Sequence, residues 1–312
     1  MASKPVYDAL IIGGGPAGLS TALGLSRILH TAVLFDSGVY RNQLAKHMHI
    51  VSTWDHQDPD EFRAAARKEL TARYDTVRIQ NSTVEKVEKL ENGWFKATDA
   101  SQQEWTGKKL VLATGSKDVF PNIPGYEECW VKGIFHCLFC HGFEENGTHS
   151  AGVLAVDDAA SLPVVTQFTG QARRFTQNVT AYTNGSASLA AELAPLAAKN
   201  IRIDSRPIKQ LVKTPGDNSE VTIVFDDGET ETVGFLVHKA KTVLASQTLV
   251  EQLGLELTPS GDLKVAQPIP MTSVPGVYAA GDCSTFMKMV TNALASGIAV
   301  AAGVSMQLQS EA

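Results

Sequence analysis

Cysteine is scarce: only Cys129, Cys137, Cys140 and Cys283 occur in 312 residues. That is too few to staple a chain of this length, so stability must come from buried apolar cores rather than a disulfide framework. Aromatic residues make up 7%, and no uninterrupted apolar run approaches the ~18 residues of a membrane span. The apolar tail from Ala293 to Val304 is short and rich in Ala and Gly. Basic charge is also in deficit. With 27 Lys and Arg against 33 Asp and Glu the formal charge is -6, which offers neither nucleic acid nor an anionic membrane an attractive surface. Met1 to Asp8 lacks the basic stretch, apolar run and small-residue cleavage site of a secretory signal. The expectation is a cytoplasmic protein with small-molecule chemistry and neither a nucleic-acid nor a membrane partner. An ordinary composition, 44% apolar and 19% charged, predicts a folded chain of about two domains.

What is present begins with Val6 to Ile12, a nearly continuous apolar run that reads as a buried parallel strand. Gly13-Gly14-Gly15-Pro16-Ala17-Gly18 follows, then helix formers from Leu19 to Leu29 and a second apolar strand, Thr31 to Phe35, ending at Asp36. This is a βαβ unit with G-x-G-x-x-G opening its helix and an acid after its second strand, the setting that the dinucleotide fingerprint requires. Gly13 permits the tight turn, Gly15 lets backbone amides approach a pyrophosphate, Gly18 brings helix against strand, and Asp36 can accept ribose hydroxyls. The plainer alternative is a glycine-rich turn with a solvent-exposed aspartate.

Further along, Pro59 to Tyr74 reads as a helix, and Val77 to Gln80, Val84 to Glu88 and Trp94 to Thr98 read as short antiparallel strands. Lys109 to Ala113 reads as a buried strand ending at Thr114-Gly115, with a linker marked by Pro121 and Pro124. A strand-helix-strand pattern spans Gly152 to Thr183, a strand pair Val212 to Lys213 and Val221 to Phe225 follows, and Gly276 to Asp282 is again a strand running into a tight turn.

Between these lies Cys137-Leu138-Phe139-Cys140. C-x-x-C lets two sulfurs meet across one helical turn and store two electrons. Buried thiols, a structural disulfide, or half a metal site completed by Cys129, His136 or His141 are the alternatives; a zinc site would normally bring a second ligand pair at regular spacing. No metal is expected.

Taken in order, the glycine fingerprint, Ala113-Thr114-Gly115, the C-x-x-C and the Gly281-Asp282 turn resemble the low-molecular-weight thioredoxin reductases over almost the whole chain. The resemblance implies an α/β fold of two Rossmann-like domains and a homodimer. It implies an FAD-binding domain split into 1–116 and 246–312, around an inserted domain, 117–245, that carries the C-x-x-C. It also implies flavin contacts from Thr114, Gly115, Gln43 and Asp282, a flavin-proximal Cys140 and an interchange thiol Cys137.

Two departures from that family stand out. His141 follows Cys140 where the reductases carry an aspartate; an imidazole with an ordinary pKa near 6.5 can take and return a proton. In the inserted domain the strand Gly152 to Val156 runs into Asp157-Asp158 instead of glycines, and Asn184-Gly185-Ser186 supplies no arginine for a 2'-phosphate. Carboxylates there compete with a pyrophosphate for the helix field. A dithiol/disulfide flavoprotein without a nicotinamide site resembles the gliotoxin- and holomycin-type dithiol oxidases, and Cys137 to Gly142 is similar to the gliotoxin-type motif. That resemblance implies a small-molecule dithiol substrate and molecular oxygen as acceptor.

Overall fold

The computed structural model describes residues 5–311. Two compact units emerge. One takes the chain up to His47, Val51–Lys117 and Val243 onward; the other takes Asp118–Thr242 together with the three-residue segment Met48–Ile50.

The first unit is built on a seven-stranded sheet. Its strands β1 (Val6–Ile12), β2 (Ala32–Phe35), β3 (Val77–Gln80), β4 (Val84–Lys89), β5 (Phe95–Asp99) and β6 (Glu104–Leu112) lie in the order β3-β2-β1-β6-β5-β4, and Val277–Ala279 also pairs with β6. β1 is parallel to β2 and β6, while β5 is antiparallel to β4 and β6. β3 runs parallel to β2, with Ala32 opposite Val77, and so is not part of the antiparallel set that the sequence suggested. It is a four-residue edge strand reached through a helix, the usual crossover to a parallel neighbour. Period-two alternation explains why β1 reads as continuously apolar. Ala9 and Ile11 join one core, Leu10 and Ile12 the core on the opposite face.

Helix α1 (Pro16–Arg27) begins with proline at its first position, where the missing N–H is no loss. Helix α2 (Pro59–Arg73) has the same device, and the Asp58 carboxylate accepts from the Asp60 amide. Against α1 packs the carboxyl-terminal helix Val290–Ser310, longer than the Ala293 to Val304 tail seen in sequence. By length and composition this helix could cross a membrane, yet Ala293, Gly297, Val300, Ala301 and Val304 along it are buried in the protein. The approach is close because both helices present small residues. Ser20 donates to the Leu294 carbonyl (2.8 Å) and Thr21 to the Gly297 carbonyl (3.1 Å), while a Cβ on Gly297 would overlap the Ala17 carbonyl oxygen.

In the second unit five parallel strands lie in the order Ile201–Asp204, Val179–Tyr182, Ala151–Leu154, Phe235–Val237, Ile134–Phe135. A three-stranded antiparallel sheet joins Ile208–Lys213, Val221–Phe225 and Thr230–Val233. Its third strand has a single apolar residue, Val233, and its first has Lys209 and Gln210 side by side, so neither stands out in an apolar scan.

Because backbone, not a flexible side chain, faces Gly297, its replacement by Val should destabilise the first unit by about 2–4 kcal/mol. Denaturant unfolding is the check, and an unchanged midpoint would refute the tight helix contact.

Candidate active site

In the first unit the glycine turn has the geometry of an anion cradle. Gly13 has φ +119°, and a Cβ there would overlap the Ala113 carbonyl oxygen at the end of β6; one on Gly18 would overlap the Gly13 carbonyl oxygen. Gly15 differs: a Cβ would meet no atom within 4 Å. Gly15 caps α1 with no side-chain hydrogen bond, and no acid occupies the helix's first turn, so its leading amides face open space. A diphosphate fits that donor set. Gly14, which sequence reasoning passed over, is held against Asp36, since a Cβ would overlap the carboxylate.

Asp36 is only 4% exposed. One of its oxygens accepts from the Gly38 amide (3.0 Å), both lie within reach of the Tyr40 hydroxyl (2.8 and 2.7 Å), and Arg67 pairs with the second. Burial and the Asp36 carboxylate push the Tyr40 phenol up to about 12, so it stays a donor. A ribose reaching Asp36 must displace one of these partners. Gln43 is exposed and accepts from the Tyr40 amide (3.2 Å). The Thr114 hydroxyl meets that of Ser246 (2.6 Å), and Gly115, at φ +72°, accepts from the Ala245 amide. Asp282 lies in the turn Gly281–Ser284 and pairs with Arg41 at 3.2 Å. Arg41 and Arg67 carry no sequence signal, standing among ordinary polar neighbours.

The second unit holds the sulfur. Cys137 and Cys140 form a disulfide with Cα atoms 5.3 Å apart. Cys137 is extended and precedes a single helical turn, Leu138–His141, in which the Cys140 and His141 amides both donate to the Cys137 carbonyl (3.1 and 3.2 Å). Cys129 packs apart from this pair, in a core with Tyr126, Trp130 and Ile134, and burial raises its thiol to about 11. Cys283, buried in the first unit, is likewise raised to about 11 by burial. Both behave as small apolar residues.

His141 lies in a nest of rings. It stacks on Phe135 (centroids 5.2 Å apart) and has His136 at 6.2 Å and His49 at 6.4 Å, both edge-on. Burial and the nearby His49 depress it from 6.5 to about 4, with Glu144 opposing. The ring's affinity therefore lies below the ordinary imidazole value, and His141 is neutral at pH 7. His49, whose Nδ1 lies 2.6 Å from the Cys140 carbonyl and whose Nε2 lies 3.1 Å from Glu144, belongs with the sulfur turn, although nearly a hundred residues separate them in sequence.

At the strand-to-helix turn of this unit, Asp157–Ala159 forms a 3-10 turn and the helix Leu162–Ala172 follows. The leading amide of that helix donates to the Glu192 carboxylate (3.3 Å), so a third acid joins Asp157 and Asp158. Asn184 accepts from the Ile208 amide (2.7 Å), and Ser186 caps the next helix. Arg202 pairs with Glu231 and Arg206 with Asp204 (2.6 Å).

Residues 7–297 match the pyridine nucleotide-disulphide oxidoreductase family, and the chain belongs to it. It is 48% identical to thioredoxin reductase aclD of Aspergillus oryzae over 98% of each chain. It is 41% identical to thioredoxin reductase sirT of Leptosphaeria maculans, covering 98% of this chain and 96% of that one. The thioredoxin reductase of Streptococcus pyogenes superposes with a TM-score of 0.81 at 21% identity, covering 99% of this chain and 100% of that one. The fold is therefore the two-Rossmann-domain fold of the low-molecular-weight thioredoxin reductases, and the chain is a flavin-dependent oxidoreductase, thioredoxin reductase-like.

Gly15→Asp should fold and lose its flavin, because the new carboxylate takes the open space above α1; full flavin content in a folded variant would dismiss this cradle. For His141 the folded affinity lies below the unfolded 6.5, so its contribution to stability is complete above pH 6.5 and is lost as pH falls through about 4. His141→Phe should therefore remove on the order of 1–3 kcal/mol of acid sensitivity between pH 6.5 and 4. Parallel stability curves for the two proteins would contradict that.

Proposed function

We propose that the chain oxidises a small-molecule dithiol to a disulfide, using FAD and the Cys137–Cys140 pair with molecular oxygen as electron acceptor, in secondary metabolism and as a homodimer. The observation that carries this reading is the second unit's helix amino terminus. Asp157 and Asp158 precede it and Glu192 accepts its leading amide, where a nicotinamide dinucleotide would have to set its pyrophosphate. Two unit charges about 5 Å apart at an effective dielectric of ~20 repel by roughly 3 kcal/mol. The basic residues that a 2'-phosphate needs are absent from Asn184-Gly185-Ser186, and Arg202 and Arg206 are engaged with Glu231 and Asp204.

FAD would be held by Gly13, Gly15 and Gly18, with Asp36, Gln43, Thr114, Gly115 and Asp282 around it. When bound, it supplies a two-electron acceptor that restores the disulfide and hands the pair to oxygen, giving hydrogen peroxide. The remaining steps belong to the chain. Neutral His141 takes the proton of an entering thiol. The thiolate attacks Sγ of Cys137, the Cys137–Cys140 bond breaks, and Cys140 leaves as a thiolate. A negative sulfur on the preceding residue would then favour the protonated form of His141 and hold the proton it has taken. The second substrate thiol, its proton passed to solvent, attacks the substrate sulfur of the mixed disulfide; the substrate's own S–S bond closes and Cys137 leaves as a thiolate, so the chain holds two reduced sulfurs where it had a disulfide.

The relatives' names favour the reverse direction, an NADPH-dependent thioredoxin-type reductase, and one experiment separates the two. Under anaerobic mixing, a small dithiol should bleach the flavin rapidly, NADPH and NADH should leave it oxidised, and air should restore the colour with peroxide release. Rapid stoichiometric bleaching by NADPH would overturn the oxidase reading.

A further inference from the structure

The turn that carries Asp282 is held on its carbonyl side by a buried cation. Gly281–Ser284 lies against the first turn of α1: Gly281 has φ +78°, and a Cβ there would come within 2.8 Å of Cβ of Ala17, the residue before Gly18 of the fingerprint. The Gly281 amide donates to the Ser296 hydroxyl (3.0 Å). On the other side the Cys283 carbonyl accepts from the Leu263 amide (2.8 Å), and the Asp282 and Thr285 carbonyls both accept from the Lys288 ammonium (2.7 and 2.9 Å). The third N–H of Lys288 reaches Oδ1 of Asp262 (2.7 Å), so each donor of that ammonium has an acceptor.

This is not an ordinary surface lysine. Its side chain is 7% exposed and that of Asp262 11%, while its neighbours Phe286 and Met287 are exposed. A buried ammonium is costly unless it is paired and hydrogen-bonded, so Lys288 turns inward only where these three acceptors stand together. Asp262 is anchored in its turn: its second oxygen accepts from the Ser260 hydroxyl (2.9 Å) and its amide donates to the Thr258 hydroxyl (3.2 Å), in a short hairpin in which Leu257 bridges Leu263.

We propose that Lys288 is a positioning residue for the flavin: with Asp262 as its counterion, it pins the main chain of the Gly281–Ser284 turn and so keeps Asp282 beside the cradle at α1. The inference rests on the reading above that FAD is held by that cradle and by Asp282. Arg41 orients the Asp282 side chain, at 3.2 Å, whereas Lys288 acts on its main chain. A turn that occupies its binding form only part of the time weakens its ligand by that fraction, and two charge-assisted hydrogen bonds set the fraction here.

The test is release of FAD from the holoenzyme, followed as the rise of free-flavin fluorescence after dilution. Lys288→Met keeps the side-chain length and removes all three donors, but it strands the Asp262 carboxylate. Lys288→Met/Asp262→Asn avoids that buried unpaired charge and guards against a variant that does not fold. Both should release FAD about tenfold to a hundredfold faster than wild type. Asp282→Ala should also speed release, and combining it with the Lys288→Met/Asp262→Asn pair should add nothing beyond the larger of the two effects, because both remove the same contact. Effects that multiply mean that Lys288 only supports the fold, and a wild-type release rate in the pair means that it does nothing for the flavin; either overturns the assignment. Wild-type release by Asp282→Ala alone would instead remove the reading that Asp282 holds the flavin, and the proposal with it. A Lys288 variant that keeps its flavin where Asp282→Ala loses it strikes only the proposal.

Discussion

Backbone lying against backbone at the end of β6 is the constraint from which the first unit's chemistry follows. Gly18 can sit on the Gly13 carbonyl, and Gly13 on the Ala113 carbonyl, only because neither carries a Cβ. That contact brings the amino end of α1 to the carboxyl edge of the parallel sheet, leaving Gly15 as the one glycine of the fingerprint with open space above it. Small residues repeat the device on the far side of α1, where Gly297 and Ala301 admit the carboxyl-terminal helix. An anion site at a helix end is useful only if the helix cannot drift, and here it is pinned on two sides.

The second unit has the same strand-turn-helix topology and the opposite electrostatics. Where α1 presents bare amides, the helix Leu162–Ala172 has its first amide engaged by Glu192 and two aspartates in the preceding turn. One chain thus carries two copies of one architectural idea, the first open to a diphosphate and the second with an acid on its leading amide and two aspartates in the turn before it. This contrast, rather than any single residue, bears on the direction of electron flow. Family membership fixes flavin and disulfide chemistry, but both an oxidase and a reductase share those parts; what divides them is whether the inserted unit can hold a nicotinamide.

Much of this was legible in the sequence because it depends on local chemistry. The fingerprint glycines, the β1 and β2 runs, the C-x-x-C turn and the acidic turn at Asp157 all announce themselves within a few residues. What escaped depends on tertiary proximity. β3 has the composition of any short strand, and only its place beside β2 makes it parallel. Asp36 reads as a free ribose acceptor until Tyr40 and Arg67 close on it. Glu192 gives no hint that it reaches back thirty residues to the Leu162 amide. His49 gives no local sign of its contact with the Cys140 carbonyl.

His141 shows why adjacency is an incomplete guide to a residue's chemistry. Position beside Cys140 says that an imidazole is available; the ring's surroundings decide which form is present. Packed on Phe135 and near His49, it is lowered from the ordinary imidazole value to about 4 and is neutral at pH 7. On the dithiol-oxidation reading, a thiolate formed at Cys140, the preceding residue, would oppose the effect of burial on that imidazole. On that reading the ring is neutral when a thiol enters, and would hold the proton it takes more firmly once the disulfide has opened. An aspartate at position 141 would be charged from the outset at neutral pH and repel the incoming thiolate. On the dithiol-oxidation reading, histidine there suits a turn that must first receive a thiol.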